Sequence, residues 1–165
     1  MLGVVLDGKR GIARVFEGIP VQICQFHQVK IVTRYLTRRP RTEAGSALRA
    51  ISLRLTETTK ETFSGLLRDW HERWAEFFSE RTPCPSGKPN RWTYTHRKLR
   101  SAYRSLMTNL PFLFTYQNDP NLQLPNTTNT LDGMFSQIKN RLNVHRGAKQ
   151  KFRYKLITET LKGKD

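Results

Sequence analysis

The sequence predicts a mainly α-helical protein with a small α/β element at its start. Two short apolar segments rich in β-branched residues, Leu2–Leu6 and Val21–Cys24, have the length and composition of buried strands. From Phe26 onward, apolar side chains recur at helical spacing, as in amphipathic helices. The chain has 165 residues, of which 37% are hydrophobic, so a single domain with one core is the default expectation.

The opening segment has the pattern of a small β-α-β unit. The first strand starts near Leu2 and ends at Asp7, residues 11–16 can form a short helix, and Ile19–Pro20 lead into the second strand. Two parallel strands alone do not make a stable sheet. We therefore expect further strands to come from residues missing from this chain or from a partner.

Several helical patterns follow, separated by short breaks. The strongest is an aromatic and leucine stripe that we expect in the core, formed by Phe63, Leu66, Leu67, Trp70, Trp74, Phe77 and Phe78. A later helix directs Leu99, Tyr103, Leu106 and Leu110 inward, and Arg97, Lys98, Arg100 and Arg104 outward. The predicted helices span about 26–36, 42–60, 63–81, 95–110 and 130–144, followed by a basic helical tail. The predicted connections are 82–90 and 111–129, the second of them opened by Pro111.

The charge balance indicates a polyanionic partner. Lysine and arginine total 29 against 13 acidic residues, which gives a formal charge of +16. Nucleic acid is favoured over a membrane, because no stretch approaches the roughly 20 apolar residues of a spanning helix. A ribosome-associated or generally basic protein is the alternative. The two cysteines, Cys24 and Cys84, lack the spacing of a disulfide framework, which favours the reducing cytoplasm.

Two positions near the start are candidates for chemistry. Asp7 follows a buried strand, and open α/β sheets place ligands beyond such strand ends, although an aspartate before glycine is also common in turns. Cys24 and His27 form a Cys-x-x-His pair, but a structural zinc site needs four ligands and no second pair exists in the sequence. A packed thiol beside a hydrogen-bonded histidine, at a strand-to-helix junction, is the better interpretation.

The late helix carries a third candidate acid. Asn129 or Thr130 can cap this helix, and Asp132 lies in its first turn, where an acid also interacts favourably with the helix dipole. Its apolar stripe consists of Leu131, Met134, Phe135, Ile138 and Leu142. Asp132, Ser136, Lys139 and Asn143 share the other face. The functional interpretation makes Asp132 a metal ligand beside a DNA-contacting lysine.

A basic cluster follows this helix. It comprises His145, Arg146, Lys149, Lys151, Arg153 and Lys155. On a helix, such a cluster can bind the phosphate backbone without reading its sequence. A merely solvated charged face is the alternative.

These features together resemble the Mutator-like group of bacterial insertion-sequence transposases, in the DDE superfamily. The start of the chain looks like the group's segment with the second catalytic aspartate and the Cys-x-x-His signature. The similar runs are Leu-Asp-Gly at 6–8, Ile-Pro at 19–20 and Val-Gln-Ile-Cys-Gln-Phe-His-Gln at 21–28. The late helix looks like the group's helix with the third catalytic acid. The similar runs are Thr-Thr-Asn-Thr-Leu-Asp-Gly-x-Phe-Ser-x-x-Lys at 127–139 and His-Arg-Gly at 145–147. The helical middle, with Trp70 and Trp74, is similar to the group's all-α insertion.

The resemblance implies a partial ribonuclease-H-like fold that lacks its first strands. Residues 1–37 would be a remnant of that core, 38–125 the all-α insertion, and 126–165 the catalytic-acid helix and basic tail, packing back on the core. Asp7 and Asp132 would be catalytic and would jointly hold Mg²⁺ or Mn²⁺, the ions that oxygen ligands suit in phosphodiester displacement. Cys24 and His27 would support the site. Contacts to the DNA backbone would come from Lys139, Arg141, His145, Arg146, Lys149 and Lys151.

The sequence departs from the group's pattern at two places. A glutamate is usual where Asp132 stands, and one methylene less shortens the reach to a metal. The first catalytic aspartate belongs on the first strand of the sheet, whereas this chain begins at what would be the fourth. We therefore expect a transposase fragment that is inactive alone and acts at the nucleoid, as a homo-oligomer or with full-length transposase. A basic, non-catalytic DNA-binding or regulatory protein derived from a transposase is the alternative.

Overall fold

The protein is mainly helical with small sheet elements, as the sequence predicts. A computed structural model describes residues 3–8, 12–84 and 92–162. It divides into two compact units, Met1–Thr127 and Thr128–Asp165. The predicted boundary between 37 and 38 lies inside the first unit, and the division into three segments stays a prediction. No helix among the described residues is long and apolar enough to span a bilayer.

The opening β-α-β unit is present. Strand β1 spans Val4–Leu6, a short 3-10 helix spans Ile12–Phe16, and strand β2 spans Val21–Ile23. The strands are parallel, with Leu6 opposite Ile23, which confirms the predicted pairing. All three residues of β2 are buried and those of β1 are half-buried, as apolar β-branched strands require. Leu2 and Gly11, which the prediction included, lie outside the described residues.

The helical core of the first unit is built from four longer helices. They are α1 Gln25–Leu36, α2 Glu43–Leu53, α3 Lys60–Arg73 and α5 Arg97–Leu113, with the short helix α4 Ala75–Ser79 between the last two. Thr42 and Thr59 cap α2 and α3 by accepting hydrogen bonds from backbone N–H groups three residues on. From the predicted aromatic stripe, Phe63, Leu67, Trp70 and Phe78 are buried, while Leu66, Trp74 and Phe77 are half-buried.

Two predicted helices are interrupted. The helix expected over 42–60 ends at Leu53, and a 3-10 turn, Arg54–Glu57, follows. Threonines occupy positions 56, 58 and 59, and β-branched residues are poor helix formers, whereas Thr59 is a good cap for the next helix. The helix expected over 63–81 breaks at Trp74, whose φ and ψ of −110° and 19° are not helical.

A two-stranded antiparallel sheet replaces part of the predicted connection at 82–90. Strand β3 spans Arg81–Pro83 and strand β4 spans Trp92–Tyr94, with Arg81 opposite Tyr94. The prolines and the glycine at 85–89, which favoured a loop, lie outside the described residues. Pro83 does not prevent the pairing of the two strands because it is the last residue of a short edge strand.

Helix α5 runs three residues past its predicted end, through Pro111. Proline removes one helical hydrogen bond, the one that the Met107 carbonyl would accept. Met107 and Pro111 are both exposed, so water can satisfy that carbonyl and the helix continues to Leu113. Helix α6, Thr115–Asn118, and a 3-10 turn, Pro120–Leu122, then occupy part of the predicted 111–129 loop.

The second unit consists of two helices. Helix α7 spans Asn129–Val144 and helix α8 spans Gln150–Lys162, close to the predicted late helix and basic helical tail. The hydroxyl of Thr160, on α8, accepts a hydrogen bond of 3.1 Å from the Arg141 guanidinium, on α7. The rings of His145 and Phe152 meet edge to face at the turn between the helices. These contacts join the two helices of the unit.

The indole of Trp70 ties α3 to α2, and its loss should lower stability. Its Nε1–H donates a hydrogen bond of 3.0 Å to the Ala44 carbonyl, and the ring is 3% exposed. We expect Trp70→Phe to reduce the free energy of unfolding by about 1–3 kcal/mol, measured by urea denaturation. Trp74→Phe makes the same chemical change at a half-buried ring and should cost less. Equal losses in the two variants would contradict a role for the indole hydrogen bond.

Candidate functional site

Asp7 lies where the sequence placed it, directly after β1, and its residue is exposed. Gly8 follows with a φ of +81°, in the left-handed region that favours glycine. A Cβ at Gly8 would lie 3.3 Å from the Ile23 side chain and 3.6 Å from that of Ile31. Folding therefore accounts for the glycine, because the turn is left-handed and closely packed.

Cys24 and His27 lie at the junction between β2 and α1, as expected. The Cys24 residue is fully buried, and its N–H donates a hydrogen bond of 2.7 Å to the Leu6 carbonyl at the end of β1. His27 is half-buried in the first turn of α1 and meets the Phe26 ring edge to face. Cys24 directly follows β2, and Asp7 directly follows β1. Because the two strands are parallel, the Cys-x-x-His pair begins at the same end of the strand pair as Asp7.

Three buried glutamines lie around this junction, and none of them is among the site residues predicted from the sequence. Gln22, Gln25 and Gln28 are each fully buried. The side-chain amides of Gln22 and Gln25 each donate a hydrogen bond of 2.9 Å to the Leu113 carbonyl, at the end of α5. Their spacing of three residues in an apolar segment was the available signal, because glutamine is seldom fully buried without partners.

The remaining contacts of these glutamines extend along α5 and beyond it. The side-chain amide oxygen of Gln22 accepts a hydrogen bond of 3.0 Å from the Tyr116 N–H. The Gln28 side chain donates to the Ser105 hydroxyl and accepts a bond of 2.7 Å from the Asn109 amide. The strand-to-helix junction is therefore fixed against α5 by polar contacts in addition to apolar packing.

The segment that leads toward α7 passes beside the strand pair. A Cβ at Gly3 would lie 2.7 Å from the Leu124 side chain, so the two residues are in close contact at the start of β1. Farther on, the Asn126 carbonyl accepts a hydrogen bond of 2.9 Å from the Gln25 N–H. Residue 126 consequently lies at the same end of the strand pair as Asp7.

Asp132 lies in the first turn of α7, as predicted, and is half-buried. Its N–H donates to the Thr128 carbonyl, and its own carbonyl accepts a bond from the Ser136 hydroxyl. The predicted apolar stripe of this helix is only partly correct. Ile138 is buried, but Phe135 is 54% exposed.

The stripe of α7 is narrower than the pattern suggests because the helix has few neighbours in its own unit. Met134 and Leu142 are half-buried. The side chains of Asn129, Thr130 and Leu131 lie outside the described part. Helix α7 begins at Asn129 with Thr128 at the N-cap position, so the predicted cap at Asn129 or Thr130 is wrong. A two-helix unit covers only part of an amphipathic face, so Phe135 stays exposed.

All six predicted DNA-contacting side chains belong to exposed residues of α7, α8 and the turn between them: Lys139, Arg141, His145, Arg146, Lys149 and Lys151. Arg141 also bridges the helices through its bond to Thr160. The turn is compact, because the Ala148 N–H donates to the His145 carbonyl.

The two predicted catalytic acids belong to different units. Asp7 lies in the first and Asp132 in the second, so their convergence on shared cations stays a prediction. Within the described ranges, no three histidine, cysteine or acidic side chains gather as a metal site would require. Comparison with known protein families, curated proteins and solved structures gave no match for this chain.

The buried glutamines generate a stability prediction. Gln22→Leu keeps the side-chain size but leaves the Tyr116 N–H without its acceptor and removes one donor to Leu113. We expect a loss of about 1–3 kcal/mol in the free energy of unfolding, measured by urea denaturation. Gln137→Leu, at an exposed position of α7, is the matched control and should change stability little. An unchanged unfolding midpoint for Gln22→Leu would show that the buried amide contributes nothing.

Proposed function

We propose that this chain is part of a DDE transposase catalytic domain and binds DNA through α7 and α8. All six predicted phosphate-contacting residues are exposed on the pair of helices α7 and α8, and Asp132 lies in the first turn of α7. This observation carries the proposal. In this proposal β1 and β2 belong to a ribonuclease-H-like sheet and 38–125 is its all-α insertion. The chain acts at the nucleoid, as a homo-oligomer or with full-length transposase.

The composition of the second unit supports a polyanionic ligand. Residues 128–165 hold nine lysines and arginines against three acidic residues. Lys155 lies 3.9 Å from Glu159, one turn farther along α8, and both side chains are largely exposed. A pair of this kind contributes little. Lys155 is not among the six predicted DNA-contacting residues, all of which are exposed, so their charge is available to phosphates.

The start of α8 supports the same ligand. Helix N-termini carry partial positive charge, and acids there stabilise a helix by about 0.3–1 kcal/mol. Helices α2 and α3 follow this preference, with Glu43 and Glu61 in their first turns. Helix α8 has no acid in its first turn and instead carries Lys151 and Arg153. Cations at this end oppose folding slightly, whereas a bound phosphate interacts favourably with both the cations and the helix end.

The catalytic part of the proposal relies on the surroundings of Asp7. The acid follows a strand in a parallel pair, at the end where Cys24 is buried and where residue 126 passes. Asp132 lies six positions farther along the sequence than Asn126. Two carboxylates are the kind of oxygen donor that Mg²⁺ and Mn²⁺ prefer, so the donor chemistry fits. When bound, such ions supply charge stabilisation for phosphodiester displacement.

A non-catalytic DNA-binding protein is the second candidate function. The exposed cations of α7 and α8 suffice for it, because backbone binding needs positive charge and no metal. The two functions differ in whether Asp7 and Asp132 hold divalent ions.

Duplex DNA binding should depend on the turn between α7 and α8. We expect Arg146→Gln combined with Lys149→Gln to weaken binding and to lower the slope of log affinity against log salt by roughly 2, because two phosphate contacts are lost. Fluorescence anisotropy with a labelled duplex over a salt series measures both quantities. Chelation by EDTA should leave the affinity unchanged.

The control pair is Arg54→Gln with Arg68→Gln. Both residues are exposed in the first unit, and the loss of net charge is the same. The control pair should shift the affinity slightly through net charge. An equal effect of the two pairs would mean that only the overall charge of the chain matters, which would contradict the proposed interface.

Divalent-metal binding should report whether the two acids share ions. We expect Asp7→Asn and Asp132→Asn each to weaken Mn²⁺ binding by at least about 10-fold, since even changes outside the ligand set reach that size. The double variant should bind no more weakly than the single variants, because either one already destroys the shared site. The electron paramagnetic resonance signal of free Mn²⁺ gives the affinities.

Asp69→Asn, at an exposed position of α3, is the control and should leave Mn²⁺ affinity unchanged. Independent, additive losses from the two substitutions would place the acids at separate sites. That result, or the same affinity in all variants, would remove the transposase proposal and leave the non-catalytic DNA-binding function.

A further inference from the structure

The small antiparallel sheet formed by β3 and β4 has one face whose side chains are not explained by the stability of the fold. Arg81 of β3 lies opposite Tyr94 of β4, and Pro83 lies opposite Trp92. Residues directly opposite each other, and residues two apart on one strand, project to the same face of a sheet. Arg81, Pro83, Trp92 and Tyr94 therefore share one face.

Two arginines lie against Tyr94 on this face. The Arg100 guanidinium carbon is 3.5 Å from the centre of the Tyr94 ring, and that of Arg81 is 4.9 Å away. The Arg81 guanidinium also donates a hydrogen bond of 3.2 Å to the Tyr94 hydroxyl. The pKa of Tyr94 is lowered below its ordinary value by the hydrogen bond from Arg81 and by the positive charge of Arg81, Arg100 and Arg104. The face is thus electropositive.

Helix α5 supplies the cations from a single stripe. Arg97, Arg100 and Arg104 follow one another at intervals of three and four residues, so they share one side of the helix. Arg100 is held in place by a hydrogen bond of 2.6 Å from its guanidinium to the Phe78 carbonyl. The sequence predicted an outward Arg100, but the residue is half-buried because it packs on the Tyr94 and Phe78 rings.

No described carboxylate neutralises these arginines. Glu80, which precedes β3, lies 2.7 Å from the His96 ring nitrogen, and that ring stacks on Phe77 at 3.7 Å. Helix α5 has no acid in its first turn, where an acid would stabilise the helix. The arginines retain donors for an external anion.

Trp92 adds a large apolar surface to this face. It is 60% exposed, although tryptophan is one of the side chains that gain most from burial. The rings that need burial for folding, such as Trp70 and Phe78, are inside the core. An exposed indole beside a row of arginines combines a stacking surface with phosphate donors.

We propose that this Tyr94 face, formed by Arg81, Trp92, Tyr94, Arg100 and Arg104, binds single-stranded DNA. Trp92 stacks on an unpaired base, while the arginines donate to the neighbouring phosphates. Single strands are favoured over duplex because a base inside a duplex has no free face for an indole. They are favoured over an acidic peptide because its carboxylates would engage the arginines and leave the indole without a partner.

The inference concerns a surface of the first unit and does not depend on the acids or on the cations of α7 and α8. Its experiment compares a labelled oligothymidine with a duplex of equal length by fluorescence anisotropy. We expect Trp92→Ala to weaken single-strand binding about 5- to 100-fold, the range for losing one stacked base, and duplex binding less than about 2-fold. Trp92→Phe should retain most of the single-strand affinity.

The matched control is Phe26→Ala. Phe26 is 39% exposed and has the Lys30 ammonium 4.3 Å from its ring centre, but it lies outside the Tyr94 face. This variant should bind the oligothymidine as the original chain does. Arg104→Gln should lower the salt slope of single-strand binding by roughly 1.

A second readout follows the Tyr94 phenol. Phosphates beside Arg81, Arg100 and Arg104 offset the positive charge that favours the phenolate, so bound oligothymidine should raise the pKa of Tyr94 toward its ordinary value. Ultraviolet absorbance titration, with Tyr94→Phe as the reference, isolates this group.

The inference is overturned if Trp92→Ala leaves single-strand affinity unchanged, or if the Phe26 control loses as much. It is also overturned if polyglutamate displaces the oligothymidine equally well from the original chain and from Trp92→Ala. Loss of duplex binding in the Arg146 and Lys149 variant tests the proposed function separately, so either result can fail without the other.

Discussion

The end of helix α5 is the point on which the arrangement of the first unit depends. Its last carbonyl, at Leu113, accepts hydrogen bonds from the side-chain amides of Gln22 and Gln25, one in β2 and one at the start of α1. A pair of three-residue parallel strands has little stability of its own, so it needs such an anchor. The strand end at Asp7, the buried Cys24 and the passing segment at residue 126 are all built on this anchored junction. Polar contacts that are fully buried fix such a position more strictly than apolar packing, because a displaced amide would leave several buried groups without partners.

The positive charge of the chain is placed unevenly with respect to its helices. Helices α2 and α3 have a glutamate in their first turns, whereas α5 and α8 have no acid there and carry arginines or lysines instead. A generally basic protein that needs charge only for solubility has no reason to put arginines and lysines at helix N-termini. Helices α5 and α8, in different units, both carry cations without an acid in their first turns, and the two proposed DNA-binding surfaces rely on an anion that compensates this charge.

Much of the fold could be predicted from short-range rules, and the misses have physical causes. The β-branched segments act locally, so the strand pair follows from sequence, and α2 starts within one residue of its predicted start at Thr42. The cap at Thr59, which starts α3 at Lys60 rather than at the predicted Phe63, was not predicted. Pro111 was expected to end α5, but the cost of a proline depends on whether the freed carbonyl is exposed, which only the packing decides. The burial of Gln22 and Gln25 depends on Leu113, about ninety residues away, and no local pattern reveals it. The candidate acids were placed correctly in their elements, while their convergence stays a prediction, because it is a long-range property that the spacing does not determine.

The residues proposed to have a function differ in how far the stability of the fold alone explains their identity. Asp132 lies where any helix gains from an acid, by a few tenths to about 1 kcal/mol, so its identity follows from the helix dipole without any metal. Gly8 is required by its left-handed turn, and Cys24 suits a tightly packed junction as a small apolar side chain. Lys151, Arg153 and the exposed Trp92 have no such account, because each of them is placed against its own folding preference. The binding of an anionic, partly unpaired polymer is therefore the function that these positions favour most directly, and the catalytic proposal rests mainly on Asp7.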